Sequence, residues 1–204
     1  WSHGMHNYLT QDGILPTDFI KICHQEIDKY GVQMIQKRII RARKNEEGLF
    51  VVRADDNESY YARKLLIATG LADNVPPIEG FLEMYGYSVH HCPYCDGWEA
   101  RDKKLGVYAR NKNGAELAMA LKGWSDDVTL YTDGKNKVKP EQEEQLRALN
   151  IDIVRWPVQK LVGNDGQLTS ILFKNGETKA CDTLFFVNGY TQQCNLAETF
   201  DCEV

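Results

Sequence analysis

Little in this sequence is extreme, and each shortage closes off a class of answers. Only six of the 204 residues are cysteine, too few for a fold stapled by disulfides in the manner of a small secreted domain. Only six are proline, and the 16 glycines are scattered. With a hydrophobic content of 43%, a collagen-like or disordered chain is excluded. Basic residues are outnumbered, 24 against 29 acidic ones, for a formal net charge of −5, so no footprint for nucleic acid is present. No apolar run reaches the ~18 residues of a membrane span, and no charged-then-apolar leader opens the sequence. A cytoplasmic protein without a membrane partner is expected. An initiator methionine is lacking too, Trp1 standing first. The remaining composition suits one large or two small globular domains.

Short runs of β-branched, aromatic and aliphatic residues predict strands at Val32–Gln36, Leu49–Ala54, Leu65–Ala68, Leu105–Tyr108, Val128–Tyr131, Leu168–Phe173 and Leu184–Val187. Between them lie helical patterns. Thr17–Tyr30 sets Phe19, Ile20, Cys23, Ile27 and Tyr30 on one face, which makes Cys23 a core candidate. Asn113–Trp124 and Lys139–Leu149 follow, the latter opening with Pro140 and a run of Glu. Strands alternating with helices predict an α/β protein. Ala72–Ser88, rich in Pro, Gly and Asn, is the expected interdomain linker.

The order helix, strand, hairpin, strand, glycine occurs twice. The run ending Leu65-Leu66-Ile67-Ala68-Thr69-Gly70 matches the run ending Leu184-Phe185-Phe186-Val187-Asn188-Gly189, 119 residues later. The strand expected at Val32 has its counterpart at Ile151, at the same offset. The second copy is preceded by strand, loop, helix and strand from Lys104 to Tyr131, the phosphate-binding half of a Rossmann-like unit. The first copy's equivalent would fall before residue 1, so the expectation is of two Rossmann-like three-layer units, the second inserted into an incomplete first. Residues 1–87 with 186–204 would form the partial outer domain, and 88–185 the inserted one.

The chemistry concentrates in His91-Cys92-Pro93-Tyr94-Cys95-Asp96-Gly97. A C-x-x-C pair has the spacing of a redox disulfide, and a helix start favours the attacking thiolate. Asp96, next to Cys95, is placed to shuttle a proton. The competing readings are half of a zinc site, with His90 and His91 as further ligands, and inert thiols; zinc needs four ligands, and no second C-x-x-C occurs. Cys23, Cys181, Cys194 and Cys202 stand alone. Asn57-Glu58-Ser59 fits a glycosylation sequon, a chance match in a cytosolic chain.

His91-Cys92-Pro93-Tyr94-Cys95-Asp96-Gly97-Trp98-Glu99, preceded by Leu66-Ile67-Ala68-Thr69-Gly70, resembles the low-molecular-weight thioredoxin reductases. These are FAD-dependent pyridine nucleotide-disulfide oxidoreductases. Within that family the chain is similar to the branch that includes the gliotoxin- and holomycin-type dithiol oxidases. The resemblance implies an FAD domain with an inserted NADPH domain, and a homodimer. It implies electrons passing between FAD, the Cys92–Cys95 disulfide and a thioredoxin-like protein or small dithiol or disulfide. Cys95 would face the flavin, Cys92 attack the partner, and Asp96 donate the proton. Asn7, Thr69 and Gly70 would approach FAD, with His3 and His6 at its border.

The departures from the family pattern are instructive. Both outer FAD motifs are absent, so residues 1–204 alone are expected neither to hold FAD tightly nor to turn over. The inserted domain's glycine loop reads Ala109-Arg110-Asn111-Lys112-Asn113-Gly114, with Asn111 where a middle glycine would admit the pyrophosphate and Gly114 at the last position. Thr132-Asp133-Gly134 replaces the paired arginines expected at a 2′-phosphate. These features put NADPH in doubt and favour the alternative of a dithiol oxidase that passes electrons through FAD to O₂. A binding module that kept the fold without the chemistry is the third reading.

Overall fold

Three kinds of segment build the molecule: fully apolar strands, alternating antiparallel strands and short helices. The computed structural model describes residues 3–135 and 137–202. Trp1 and Val204, the residues that prompted the expectation of missing ends, lie outside them. In chain order α1 (Pro16–Asp28) is followed by β1 (Ile39–Lys44), β2 (Phe50–Ala54), β3 (Ser59–Ala62) and β4 (Leu71–Asp73). Then come α2 (Phe81–Met84), β5 (Val89–His90), α3 (Pro93–Asp96), β6 (Leu105–Ala109), α4 (Gly114–Leu121) and β7 (Val128–Tyr131). The remainder is α5 (Pro140–Ala148), β8 (Asp152–Val154), β9 (Val158–Asn164), β10 (Gln167–Phe173), β11 (Thr178–Ala180), β12 (Thr183–Val187) and β13 (Tyr190–Gln192), then a 3₁₀ turn at Glu198–Phe200. The chain folds as two compact units, Trp1–His24 with Val75–Asn188 and Gln25–Asn74 with Gly189–Val204.

The first unit is built on a parallel sheet ordered β5-β12-β6-β7-β8. β6 is buried at every position, as befits a central parallel strand covered on both faces. Alternation sends Leu105 and Val107 to one face, where they pack with Ala118 and Leu121 of α4 and Leu146 of α5. It sends Tyr108 to the other, with Phe81, Tyr131, Leu161, Phe173 and Phe186. Each such side chain contributes about 1.5–3 kcal/mol on burial. The antiparallel sheet β9-β10-β11 and α2 cover this second face, giving three layers.

Two details pin these layers together. A Cβ on Gly106 would lie 2.7–2.8 Å from Leu184, Tyr131 and the Cys181 sulfur, so only glycine lets them close. The fully buried Cys181 lies in this core, where burial pushes its thiol well above the usual range. Ser88, just before β5 and buried, donates its hydroxyl to the Gly166 carbonyl at 2.7 Å and accepts the Leu168 N–H at 2.8 Å. The division between the units, after Asn74, falls inside the segment expected as a linker, but the rest of that segment holds core residues, with Phe81 and Met84 both buried. Its turn residues concealed α2, which is one turn long and too short to show a helical period.

The second unit contains the meander β1-β2-β3, the antiparallel pair β4–β13 and the 3₁₀ turn, whose Phe200 meets Phe50 edge-on. Among its described residues only Ala42, Val51 and Ala54 are buried hydrophobics. The meander repeats in the first unit: Ile39 and Val158 open equivalent strands, as do Ser59 and Thr178, each 119 residues apart. The duplicated glycines also match, Gly70 at φ 77° and Gly189 at φ 79°, a backbone open to glycine at little cost.

Two expected strands are corrected. Val32–Gln36 and Leu65–Ala68 are not strands, and Val32, Met34, Ile35 and Leu66 are exposed. Such apolar runs become strands only beside a hydrogen-bonding neighbour, and none lies along them among the described residues. Cys23 is not core either; α1 buries none of its residues, and Ile20 and Ile27 on its apolar face are exposed.

Candidate redox site

β5 delivers the redox motif, because its two residues are held by β12 through Leu184↔Val89 and Phe185↔His90. The chain then turns at His91 into α3, with Cys92 in extended backbone as the residue before the helix and Pro93 at its first position, where a missing N–H does no harm. One helical turn brings Cys92 and Cys95 together as a disulfide with Cα atoms 5.3 Å apart. Gly97 closes the turn, donating to the Pro93 carbonyl at 2.8 Å. A Cβ on Gly97 would meet the Trp124 ring at 2.7 Å, so this glycine lets Trp124 pack under the motif. Among the described residues no three His, Cys, Asp or Glu side chains group as a metal would require.

Asp96 is half-buried. His90 Nδ1 lies 3.2 Å from Asp96 Oδ1. Burial pushes the Asp96 carboxyl up, against the pull of His90, His91 and His6. Burial also pushes the His90 imidazole down, against the pull of Asp96. Their proton affinities are therefore drawn toward each other, the condition for passing a proton between them. Cys95 and Asp96 line one cavity of about 370 Å³ with Met5, Tyr85 and His91.

The N-terminal segment is fastened to this motif. Met5 and Ile14 form an antiparallel bridge, and the loop so closed holds Asn7 at φ 63°. The Asn7 amide donates to the Tyr94 carbonyl, inside the C-x-x-C, while its N–H donates to Asp12 at 2.9 Å. His6 Nδ1 lies 3.3 Å from Glu99, and the His3 ring packs on Tyr87 at 3.8 Å between centroids.

The other expected site residues lie elsewhere. Asn111 sits in the loop after β6 and Gly114 opens α4, at the carboxyl end of the parallel sheet where dinucleotides bind in such folds. Gly114 serves close packing, since a Cβ there would come within 2.5 Å of the Ala109 Cβ. Asn111 turns inward, donating to the Val187 carbonyl at 3.0 Å and accepting the Asn113 N–H at 3.0 Å. Asp133, beyond β7, accepts the Tyr108 hydroxyl and the Val158 N–H, both at 2.8 Å, and has Arg110 at 3.6 Å. Burial and this carboxylate push the Tyr108 hydroxyl up. Thr69 and Gly70 belong to the second unit, where the Thr69 hydroxyl lies 3.3 Å from the Cys194 sulfur, and a hydrogen bond donated from that hydroxyl to the thiolate pulls the thiol below its usual range. Cys92, Cys95, Asp96 and Asn7 thus come together in the first unit, with Asn111 and Gly114 at a separate place in it, the turn from β6 into α4. The pairing of His90 with Asp96 has no motif to announce it; the sole hint is a histidine two residues before the first cysteine.

Comparison with known proteins bears on this geometry. The profile of the family described as pyridine nucleotide-disulphide oxidoreductase matches residues 3–204. Thioredoxin reductase tcpT of Claviceps purpurea is 30% identical over 191 residues, covering 88% of this chain and 59% of that protein. A thioredoxin reductase of Gibberella zeae is 28% identical over 168 residues, 66% of this chain and 49% of its own length. The crystal structure of TrxB from Bacillus anthracis superposes with a TM-score of 0.93 at 30% identity, over 99% of this chain and 68% of that one. The chain therefore spans about half the length of the curated relatives it matches.

Proposed function

The chain belongs to the pyridine nucleotide-disulphide oxidoreductase family, and from that premise we propose that it carries out dithiol–disulfide exchange at Cys92–Cys95 within a flavin-linked oxidoreductase. One observation carries the reading: the disulfide stands on a single helical turn beside the half-buried Asp96–His90 pair, and Cys95 and Asp96 open into the same cavity.

In the reducing direction the Cys92 thiolate attacks one sulfur of a partner disulfide. The partner's S–S bond breaks as the mixed disulfide forms, and the displaced sulfur takes a proton. Cys95 then attacks Cys92, the Cys92–Cys95 bond re-forms, and the second partner thiol leaves. Two electrons pass to the partner, and Asp96, backed by His90, holds and releases a proton beside Cys95. The same steps run backwards oxidise a dithiol. The partner is a thioredoxin-like protein or a small dithiol or disulfide, the assembly a homodimer and the compartment the cytoplasm.

Family membership implies FAD, with Asn7, Thr69 and Gly70 on its side of the reading. The described residues do not by themselves make a dinucleotide site of the second unit, which offers no strand, glycine turn and helix to present N-terminal amides to a pyrophosphate. We assign residues 1–87 and 186–204 to the partial flavin-binding domain, and 88–185 to the inserted one that supplies nearly all of the parallel sheet.

A specific observation favours the oxidase direction. Asn111 and Asp133 place their side chains where the inserted domain would receive a nicotinamide cofactor, and both are satisfied by the chain's own groups. The residues present do not fit NADPH. The test is anaerobic mixing of the flavin-loaded, full-length protein with NADPH or with a dithiol. Bleaching of the yellow absorbance by the dithiol alone is expected of an oxidase, and bleaching by micromolar NADPH would sink that reading. If thiol titration never finds Cys92 and Cys95 alternating between disulfide and dithiol, exchange itself fails and a binding module is left.

A further inference from the structure

The meander of the second unit carries charge that its fold does not need. Arg41 of β1 stands directly opposite Arg53 of β2, and Arg53 opposite Ser59 of β3. In the next row Arg43, Val51 and Tyr61 are aligned. Alternation puts these six side chains on one face. Like charges directly opposite destabilise a sheet, and nearby carboxylates give no relief, because Asp56 and Glu58 both pair with Lys37. Among the ion pairs of the described residues none includes Arg41, Arg43 or Arg53; the Arg53 guanidinium has only the Asn57 side-chain carbonyl. The chain's net charge is −5, so the patch runs against the composition.

The three arginines wall a depression of about 420 Å³. Its floor is Val51, only 5% exposed, covered by arginine stems in the way long cationic side chains shield apolar surface. Tyr61, 65% exposed, and Ser59 stand at the rim with hydroxyls to donate. We propose that this face is a binding site for a compact polyanion of the diphosphate class. Strands ~5 Å apart and alternate residues ~7 Å apart place three guanidiniums around a space of two adjoining phosphate groups. The planar fork of arginine matches phosphate oxygens two at a time. A depression of this volume suits a small molecule, and a monovalent anion would leave two of the three charges unrelieved. Free pyrophosphate and the diphosphate of a nucleotide share this chemistry.

The test compares the full-length protein with its R41Q/R53Q variant by calorimetric titration and thermal melting. Pyrophosphate is expected to bind the parent and raise its melting temperature. Binding should weaken about tenfold or more in the variant, while sulfate at equal ionic strength does neither. Without ligand the variant should melt no lower than the parent, since a like-charge pair has been removed; this shows that it is folded. ADP binding more tightly than pyrophosphate assigns the site to a nucleotide, and weaker binding assigns it to the free anion. Equal pyrophosphate affinity in parent and variant, no binding to the parent, or tighter binding of an acidic peptide overturns the proposal.

Discussion

Alanine at Ser88 is the sharpest test of how the layer carrying the disulfide is held. The hydroxyl makes two hydrogen bonds, to the Gly166 carbonyl and from the Leu168 N–H. Each contributes about 1 kcal/mol net, and a buried donor stranded by loss of its partner costs about 1–3 kcal/mol. Leu168 is 4% exposed, so water does not reach its amide easily, whereas the Gly166 carbonyl lies on a turn. The expected loss for Ser88→Ala is therefore about 2–3 kcal/mol. With a urea dependence of about 2 kcal/mol per molar, the midpoint followed by circular dichroism should fall by roughly 1 M. Thr169→Ala is the matched control. Its hydroxyl also bonds to a carbonyl, Val162 at 3.0 Å, but is exposed, so water replaces it and the change should stay within ~0.5 kcal/mol. Equal shifts in the two variants would refute the reasoning, because it relies on burial and on the Leu168 N–H that loses its acceptor, and Thr169 shares neither.

Other consequences can be checked one residue at a time. Lys37 holds the carboxyls of Asp56 and Glu58 below their usual range, so the stability they contribute is present above the ordinary carboxylate pKa and is lost as pH falls through the lowered values. Lys37→Met should return both upward in a carbon-detected NMR titration; unmoved values would show that the pairing does not persist in solution. Asp96, raised by burial and held back by His90, contributes stability at low pH that is lost as pH rises through its folded value. His90→Gln should move that value, and the loss, to higher pH; a downward move in the same titration would contradict the assignment. Gly114→Ala brings a Cβ within 2.5 Å of the Ala109 Cβ and 3.2 Å of Leu130, so it should destabilise by about 1–3 kcal/mol. Gly123→Ala, whose Cβ meets only the Ala120 carbonyl at 3.4 Å, should be near neutral in the same melt.

The centre of the parallel sheet was legible because β6, β7 and β12 are buried, largely apolar runs, and the strands expected at Leu105 and Val128 start where β6 and β7 start. The helices between them were marked by Asn113 and by Lys139-Pro140 at their starts. Val32–Gln36 and Leu65–Ala68 carry the same kind of run and are not strands, since a residue pattern encodes affinity for a neighbour without stating whether one is at hand. The C-x-x-C spacing is local, so one helical turn suffices to realise it. The partnership of Asp96 with His90 arises from the angle between β5 and α3, which no residue count reveals. The inward turn of Asn111 was half readable: a side chain in place of glycine was plain, but its bond to Val187 needs β12 alongside β6.

Cys181 gives the molecule an internal clock. With Cys92 and Cys95 joined, the native protein offers reagents three partly or fully accessible thiols, Cys23, Cys194 and Cys202, and hides a fourth. That fourth thiol lies against Gly106 and Tyr131 in the core between the parallel sheet and the antiparallel layer. An alkylating agent can add its last adduct only when that core parts. The lag between the third and fourth mass increments therefore times the opening of the layer that holds the redox motif, with no label introduced and no residue changed.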